Sequence, residues 1–304
     1  MAKVASHLST SAKPSNIAPS IARSGCELDT SSRVQLAALN WQKLCVILGA
    51  PLLLLIGCNG AIDRVLEESF ERLYTIEPTA NITIQNGDGA VLVYGSNVNE
   101  MRVDAVKKAY SRARLTQIAI DVTTKPGSVS VTTKFPPKPK WGFFDRSGTV
   151  DYTIVVPATA TISGLELDTG EILLDGMRGS MTRVRLGEGH MFTRNCFTNL
   201  DLAVRRGNLI VSYDWWEESR FSAEANVADG NAWIYLPGDG AFHLLAKAAQ
   251  GKIGNDFESA AVAESAAATG AKADTLVHGG DDVRIDIRVA DGNIKIVKTN
   301  PQEN

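Results

Sequence analysis

The chain has 304 residues, 31 of them basic and 34 acidic, for a net charge of −3 at neutral pH. That length suffices for one or two domains with a sizeable core, and the near balance of charge excludes the basic surplus expected of a nucleic-acid binder. Four cysteines, Cys26, Cys45, Cys58 and Cys196, stand at no metal-type spacing and are too few for a disulfide framework.

Residues 1–43 read as a disordered leader: "SHLSTSAKPSNIAPSIARSG" is Ser-rich, contains Pro and has no apolar period. Residues 44–58, "LCVILGAPLLLLIGC", follow Arg33 and Lys43 and carry thirteen uncharged residues from Cys45 to Gly57. A signal h-region has that length, whereas a spanning helix needs about 20 residues, and Pro51 would kink such a helix. The run ends in "LIGC", which looks like a bacterial lipobox, cut before the cysteine so that Cys58 carries the lipid. A lipoprotein signal is the preferred reading, followed by an uncleaved membrane anchor and then a buried core helix. The first two place the rest of the chain outside the cytoplasm, attached to the cell envelope. Residues 59–79 are expected to form a linker and an N-terminal cap. Within them "DRVLEESFERL" has helical spacing at Leu66, Phe70 and Leu73, and a repeat stack needs its open end covered.

Residues 80–299 repeat. Aligned on glycine, the units are "NGDGAVLV" (Gly89), "TKPGSVSV" (Gly127), "LDTGEILL" (Gly170), "LGEGHMFT" (Gly189), "VRRGNLIV" (Gly207), "VADGNAWI" (Gly230), "KAAQGKIG" (Gly251) and "VADGNIKI" (Gly292). Their spacings of 38, 43, 19, 18, 23, 21 and 41 residues are one or two multiples of about 20. Apolar residues alternate on both sides of the glycine, as in Leu165/Leu167 before Gly170 and Ile172/Leu174 after it. Such alternation marks short half-buried strands joined at a corner, where Gly tolerates positive φ. Two architectures fit. In a β-solenoid each unit is a coil of about 20 residues stacked in parallel on the next; in a meander or propeller each glycine is a hairpin tip, for which Asp-Gly is a good signal. The solenoid is preferred because each unit has one marked corner and only a weak return turn.

Three stretches carry a family resemblance: "NITIQNGDGAVLVYG", then "VDYTIVVPATATISGLELDTGEILLDG", and finally "IDIRVADGNIKI". Through them, from about Phe70 to Lys298, the chain resembles the bacterial "putative adhesin" family, a domain of unknown function of the head-GIN adhesin type. The resemblance implies an all-β, single-stranded right-handed parallel β-helix and supplies no catalytic residues.

Two segments interrupt the repeat. "KFPPKPKWGFFDRSG" (134–148) is expected to loop out, and "ESAAVAESAAATGAKADTLVHGG" (258–280), Ala-rich and poor in strand formers, to form a short helix or an excursion. The histidines His7, His190, His243 and His278 show no HxH or HxxxH spacing, so neither a metal site nor a cofactor is expected. Cys196 reads as a small buried side chain. Stacking by the repeat sets Glu171 beside His190 and Asn208, and Asp168 beside Gly187 and Arg205, an ordinary mixed surface with no catalytic residue. The candidate binding surface is aromatic. Tyr213, Trp215 and Trp216 lie in "SYDWWEESRF", and Trp141, Phe143 and Phe144 in the first loop; exposed rings with polar rims suit recognition. Adjacent tryptophans on a strand face opposite ways, so one of Trp215 and Trp216 should be buried. The reading is therefore a non-enzymatic, envelope-anchored β-solenoid for surface binding, adhesion or scaffolding. Its partners would be the membrane, through the lipid or N-terminal anchor, and envelope proteins or glycans, with no nucleic acid. An envelope sensor or regulatory partner is the alternative, ahead of a polysaccharide-processing β-helix enzyme.

Overall fold

The computed structural model describes residues 64–137, 148–257 and 270–300, all within the compact unit spanning residues 61–304. The leader, the apolar segment with Cys58, and the loop aromatics Trp141, Phe143 and Phe144 lie outside the described residues.

The described part is all-β apart from one short helix. In chain order come β1 (Leu66–Thr75), β2 (Asn81–Ser96), β3 (Glu100–Ala109), the helix α1 (Arg112–Gln117), β4 (Ala119–Lys125), β5 (Ser128–Lys134) and β6 (Thr149–Pro157). Then follow β7 (Thr161–Asp175), β8 (Met181–Arg194), β9 (Asn199–Ser212), β10 (Phe221–Asp229), β11 (Ala232–Pro237), β12 (Phe242–Gln250), β13 (Ile253–Asn255), β14 (Ala271–Val277), β15 (Val283–Asp291) and β16 (Ile294–Thr299).

The middle of the sheet is parallel and in register. β2, β7, β8 and β9 pair side by side, and each passes through its corner glycine without leaving the ladder, so that Gly89, Gly170, Gly189 and Gly207 stand opposite one another. After β9 the corner divides each strand in two. The first halves pair as β9–β10–β15–β12 and the second halves as β9–β11–β16–β13. Two residues past the corner, Val91, Ile172, Met191, Leu209, Ala232 and Ile294 form one column, and all are buried. Burying the Val, Ile, Met and Leu members stabilises by about 1.5–3 kcal/mol each, and Ala232 by less. The column also fixes the register, because a slip of one residue would turn it to solvent.

The sheet as a whole is mixed, which differs from the uniformly parallel stack expected. Antiparallel strands close both ends: β1–β3–β6 and β4–β5 on one side, β14 on β12 at the other. Gly127 belongs to this part. It is the tip of the β4–β5 hairpin, at φ 69° after Pro126, as suits the third position of a turn with Pro second. Its neighbour Val129 pairs with Ile82 and so stays out of the corner column.

Two elements differ from their expected form. The stretch with helical spacing at Leu66, Phe70 and Leu73 is strand β1, in which Leu66, Phe70 and Tyr74 are half-buried while Leu73 is 60% exposed. A four-residue interval returns to the same face of a strand as well as of a helix, and the antiparallel partner β3 decides between them. Of the Ala-rich stretch, Ala271–Val277 is also a strand, because pairing with β12 buries Ala273 and Val277.

The stacking order departs from chain order at both ends. β5 and β6 flank β2 on the side away from β7 although they follow β2 in the chain. Likewise β15 and β16, the last strands, lie between β10/β11 and β12/β13. The stretch "IDIRVADGNIKI" therefore sits inside the stack and does not close it.

Candidate functional site

Between Gly207 and Gly230 the repeat is 23 residues long, against 19 and 18 for the two preceding units. The extra residues leave the ladder between the end of β9 at Ser212 and the start of β10 at Phe221. Tyr213 turns inward: it is 1% exposed, its hydroxyl donates to the Cys196 carbonyl at 3.1 Å, and burial pushes its phenol well up. Next, the Asp214 amide donates to Asn195 Oδ1 at 2.8 Å, and Asn195 Nδ2 donates to Asp214 Oδ2 at 2.9 Å. This reciprocal pair clamps the exit of the segment to the preceding turn.

The two tryptophans then part. Trp216 is half-buried, with ring centroids 5.8 Å from Tyr213, 6.1 Å from Phe221 and 5.3 Å from Phe242. Trp215 is 44% exposed, and its indole Nε1–H donates to Glu217 Oε1 at 3.0 Å. Glu217 in turn accepts two bonds from the guanidinium of Arg178, through Nε at 3.3 Å and through Nη2. Arg178 also lies over the Phe197 ring, 5.4 Å from its centroid. Burial pushes the Glu217 carboxyl up, but the bonds from Arg178 and Trp215 outweigh it and hold the group below the usual carboxylate range. The exposed indole is thus fixed through a carboxylate that stays charged at neutral pH. Beside Trp216 opens a cleft of about 390 Å³, rimmed by Glu218 and by the Arg220–Asp282 ion pair at 2.9 Å.

Of the sequence candidates, the structure therefore brings Tyr213, Trp215 and Trp216 into one aromatic cluster, with only Trp215 offering a largely exposed ring. Sequence reading passed over Arg178 and Phe197. They occupy equivalent places on neighbouring repeats, 19 residues apart, so the repeat spacing itself was the signal that would have joined them to the tryptophan segment.

The polar residues weighed for chemistry fall into surface pairs. Glu171 faces His190, which faces Asn208, with 3.4 Å between His190 Nδ1 and Asn208 Nδ2. Asp175 is bound by Arg194 and Glu188 by Arg206. Cys196 is buried, burial raises its thiol to about 11, and it donates to the Arg194 carbonyl at 3.3 Å. At neutral pH it is a protonated packing residue. Among the described residues no group of three or more His, Cys, Asp or Glu could hold a metal ion, and no helix is long and apolar enough to cross a membrane.

No family model and no curated protein matches the chain. Among solved structures it is similar to a "putative cell adhesion protein" of Clostridium sporogenes, at 16% identity and TM-score 0.48, over 76% of this chain and 100% of that one. It is also similar to "putative adhesins" of Bacteroides fragilis (13% identity, TM-score 0.29) and Parabacteroides merdae (9%, 0.27), each over 76% of this chain and 97% of the other. All three are bacterial proteins described by the class that the sequence resembles.

Proposed function

We propose that the chain is a non-enzymatic surface-binding module of the bacterial cell envelope. It is anchored through Cys58 and contacts an envelope protein or glycan through Trp215 and the adjoining Trp216 cleft. The carrying observation is the chain of contacts Arg178–Glu217–Trp215, which holds a ring 44% exposed in one orientation. An exposed aromatic fixed before its partner arrives loses little entropy on binding, and tryptophan with a charged rim is a favoured contact residue. The parallel register from β2 through β9 supports a β-helix of right-handed coils of about 20 residues as the frame, with residues 80–299 as the binding domain. Segments that leave such a regular wall are where recognition concentrates.

The test is binding of the full chain to a panel of envelope glycans and to an envelope protein extract, with Trp215→Ala beside the wild type. A loss of roughly tenfold or more in Trp215→Ala supports the reading. Unchanged binding by Trp215→Ala to every partner of the wild type would remove the site.

A further inference from the structure

A second surface lies away from the tryptophan segment and is built by the repeat itself. Residues two and four places before each corner glycine point outward, since the residue between them is buried in every one of five adjacent strands: Leu186, Val204, Val227, Val289 and Ala248. In spatial order β8–β9–β10–β15–β12, the outward residues nearest the corner are Gly187, Arg205, Ala228, Ala290 and Ala249. The next row is Arg185, Ala203, Asn226, Arg288 and Lys247. Four of the five near-corner places hold Gly or Ala, which leaves a shallow floor between long side chains, and an open groove of about 620 Å³ results.

The charged side chains that line it are all cations, and a row of carboxylates, Asp201, Glu224 and Asp286, stands at its rim. Arg185, Arg205, Lys247 and Arg288 line the groove, and no acidic side chain does. Arg185 and Arg288 are held from the rim by Asp201 at 2.8 Å and Asp286 at 2.6 Å, which fixes their direction. Arg205 and Lys247 are exposed and have no ion pair among the described residues. Lys272 on β14 stands opposite Lys247 and extends the row. Strands are about 4.8 Å apart, so five of them set cations along roughly 19 Å.

We infer that this groove binds a linear acidic polysaccharide, one whose sugar units carry carboxylates, lying across the strands. The small apolar floor accommodates the faces of sugar rings, and the spaced cations meet charges repeated along a chain. No aromatic side chain lines the groove, so it lacks the stacking platform that single-stranded nucleic acid requires. It also crosses the strands instead of following a free edge, so it offers an extended peptide no main-chain partners. The site is independent of the Trp215 surface, and its experiment separates the two.

The test is affinity electrophoresis of the full chain in gels containing polygalacturonate, with dextran as the neutral polymer and a single-stranded oligonucleotide as the competing polyanion. We expect retardation by polygalacturonate that weakens as salt rises and is absent with dextran. Arg205→Ala combined with Lys247→Ala should weaken binding at least tenfold. Ala228→Phe, an exposed position whose ring would fill the floor, should do the same with both cations intact. Trp215→Ala and Arg206→Ala, the latter paired with Glu188 and Asp229 outside the groove, should bind as wild type. Wild-type affinity in the double variant or in Ala228→Phe would overturn the assignment, as would equal binding of dextran. Displacement by the oligonucleotide at equal charge concentration would also overturn it, by reducing the groove to a general polyanion surface.

Discussion

Gly170 faces Gly89 across the β7–β2 ladder so closely that a Cβ on Gly170 would stand 1.8 Å from the Gly89 carbonyl oxygen. The same approach recurs from Gly189 to Gly170 and from Gly207 to Gly189, so the corner column is closed to any side chain. With φ at 135°, an alanine there combines steric conflict with a backbone conformation open essentially to glycine. Gly170→Ala should cost more than about 4 kcal/mol in urea unfolding. Gly254→Ala, with open space around the new methyl, should stay within about 1 kcal/mol of wild type.

The inward column should respond as a core. Ile172→Ala and Leu209→Ala are expected to lose about 2–5 kcal/mol, whereas exposed Glu171→Ala should stay within about 0.5 kcal/mol. Asn293 differs from Glu171 because its Oδ1 accepts the Lys252 amide at 2.9 Å. Asn293→Ala should therefore cost about 1 kcal/mol. Denaturant midpoints of the four variants check the register.

Stability should fall on the alkaline side. Burial raises Cys196 to about 11 and Tyr152 to about 12, and pushes Tyr213 upward as well. Each group holds its proton more tightly folded than unfolded, where thiols titrate near about 8.5 and phenols near about 10. The advantage is complete below a pH of about 8.5 and is lost as pH rises through the folded values. Urea midpoints should decline between about pH 9 and 12, and Cys196→Ala should begin that decline at higher pH. A flat profile to pH 11 in the wild type would contradict the burial of all three.

Tyr213 and Trp215 should separate stability from binding. Tyr213→Phe leaves the buried Cys196 carbonyl without its donor and should cost about 1–2 kcal/mol. Trp215→Ala should leave the thermal midpoint nearly unchanged while weakening partner binding. A large drop in the midpoint of Trp215→Ala would mark the ring as a structural member of the cluster.

The proposed attachment at Cys58 is checked by metabolic labelling. Cys58→Ser should block incorporation of labelled fatty acid and leave a precursor of higher mass. A wild-type chain that takes up no label would replace lipidation with an uncleaved anchor.

The columns through Ile172 and Leu209 were legible in the sequence because strand alternation repeats at a fixed distance from a glycine. The role of Gly127 was not. A hairpin tip and a stacking corner both read as glycine followed by alternation, and only the antiparallel partner β4 distinguishes them. Phe70 was ambiguous for a related reason, since four residues return to one face in either element type. At the site, Trp215 and Trp216 lie between β9 and β10, outside any strand, so strand alternation does not account for the exposure of one and the half-burial of the other. The burial of Tyr213 and the grip of Arg178 on Glu217 depend on contacts between repeats, which alternation alone does not reveal.

The lodging of β15 and β16 between earlier strands changes how the module meets mechanical load. A C-terminal strand on an open edge would unzip one hydrogen bond at a time when pulled. Here tension on the C-terminus draws β15 and β16 lengthwise between ladders on both sides, so many bonds resist in shear together. The same placement makes β12 and β13 depend on strands that come later in the chain. Until β15 and β16 are present, β12 and β13 lack the parallel neighbours that join them to β10 and β11. A chain stopped before Val283 would keep the ladder from β2 to β11 and leave the β12–β14 pair without its link to it.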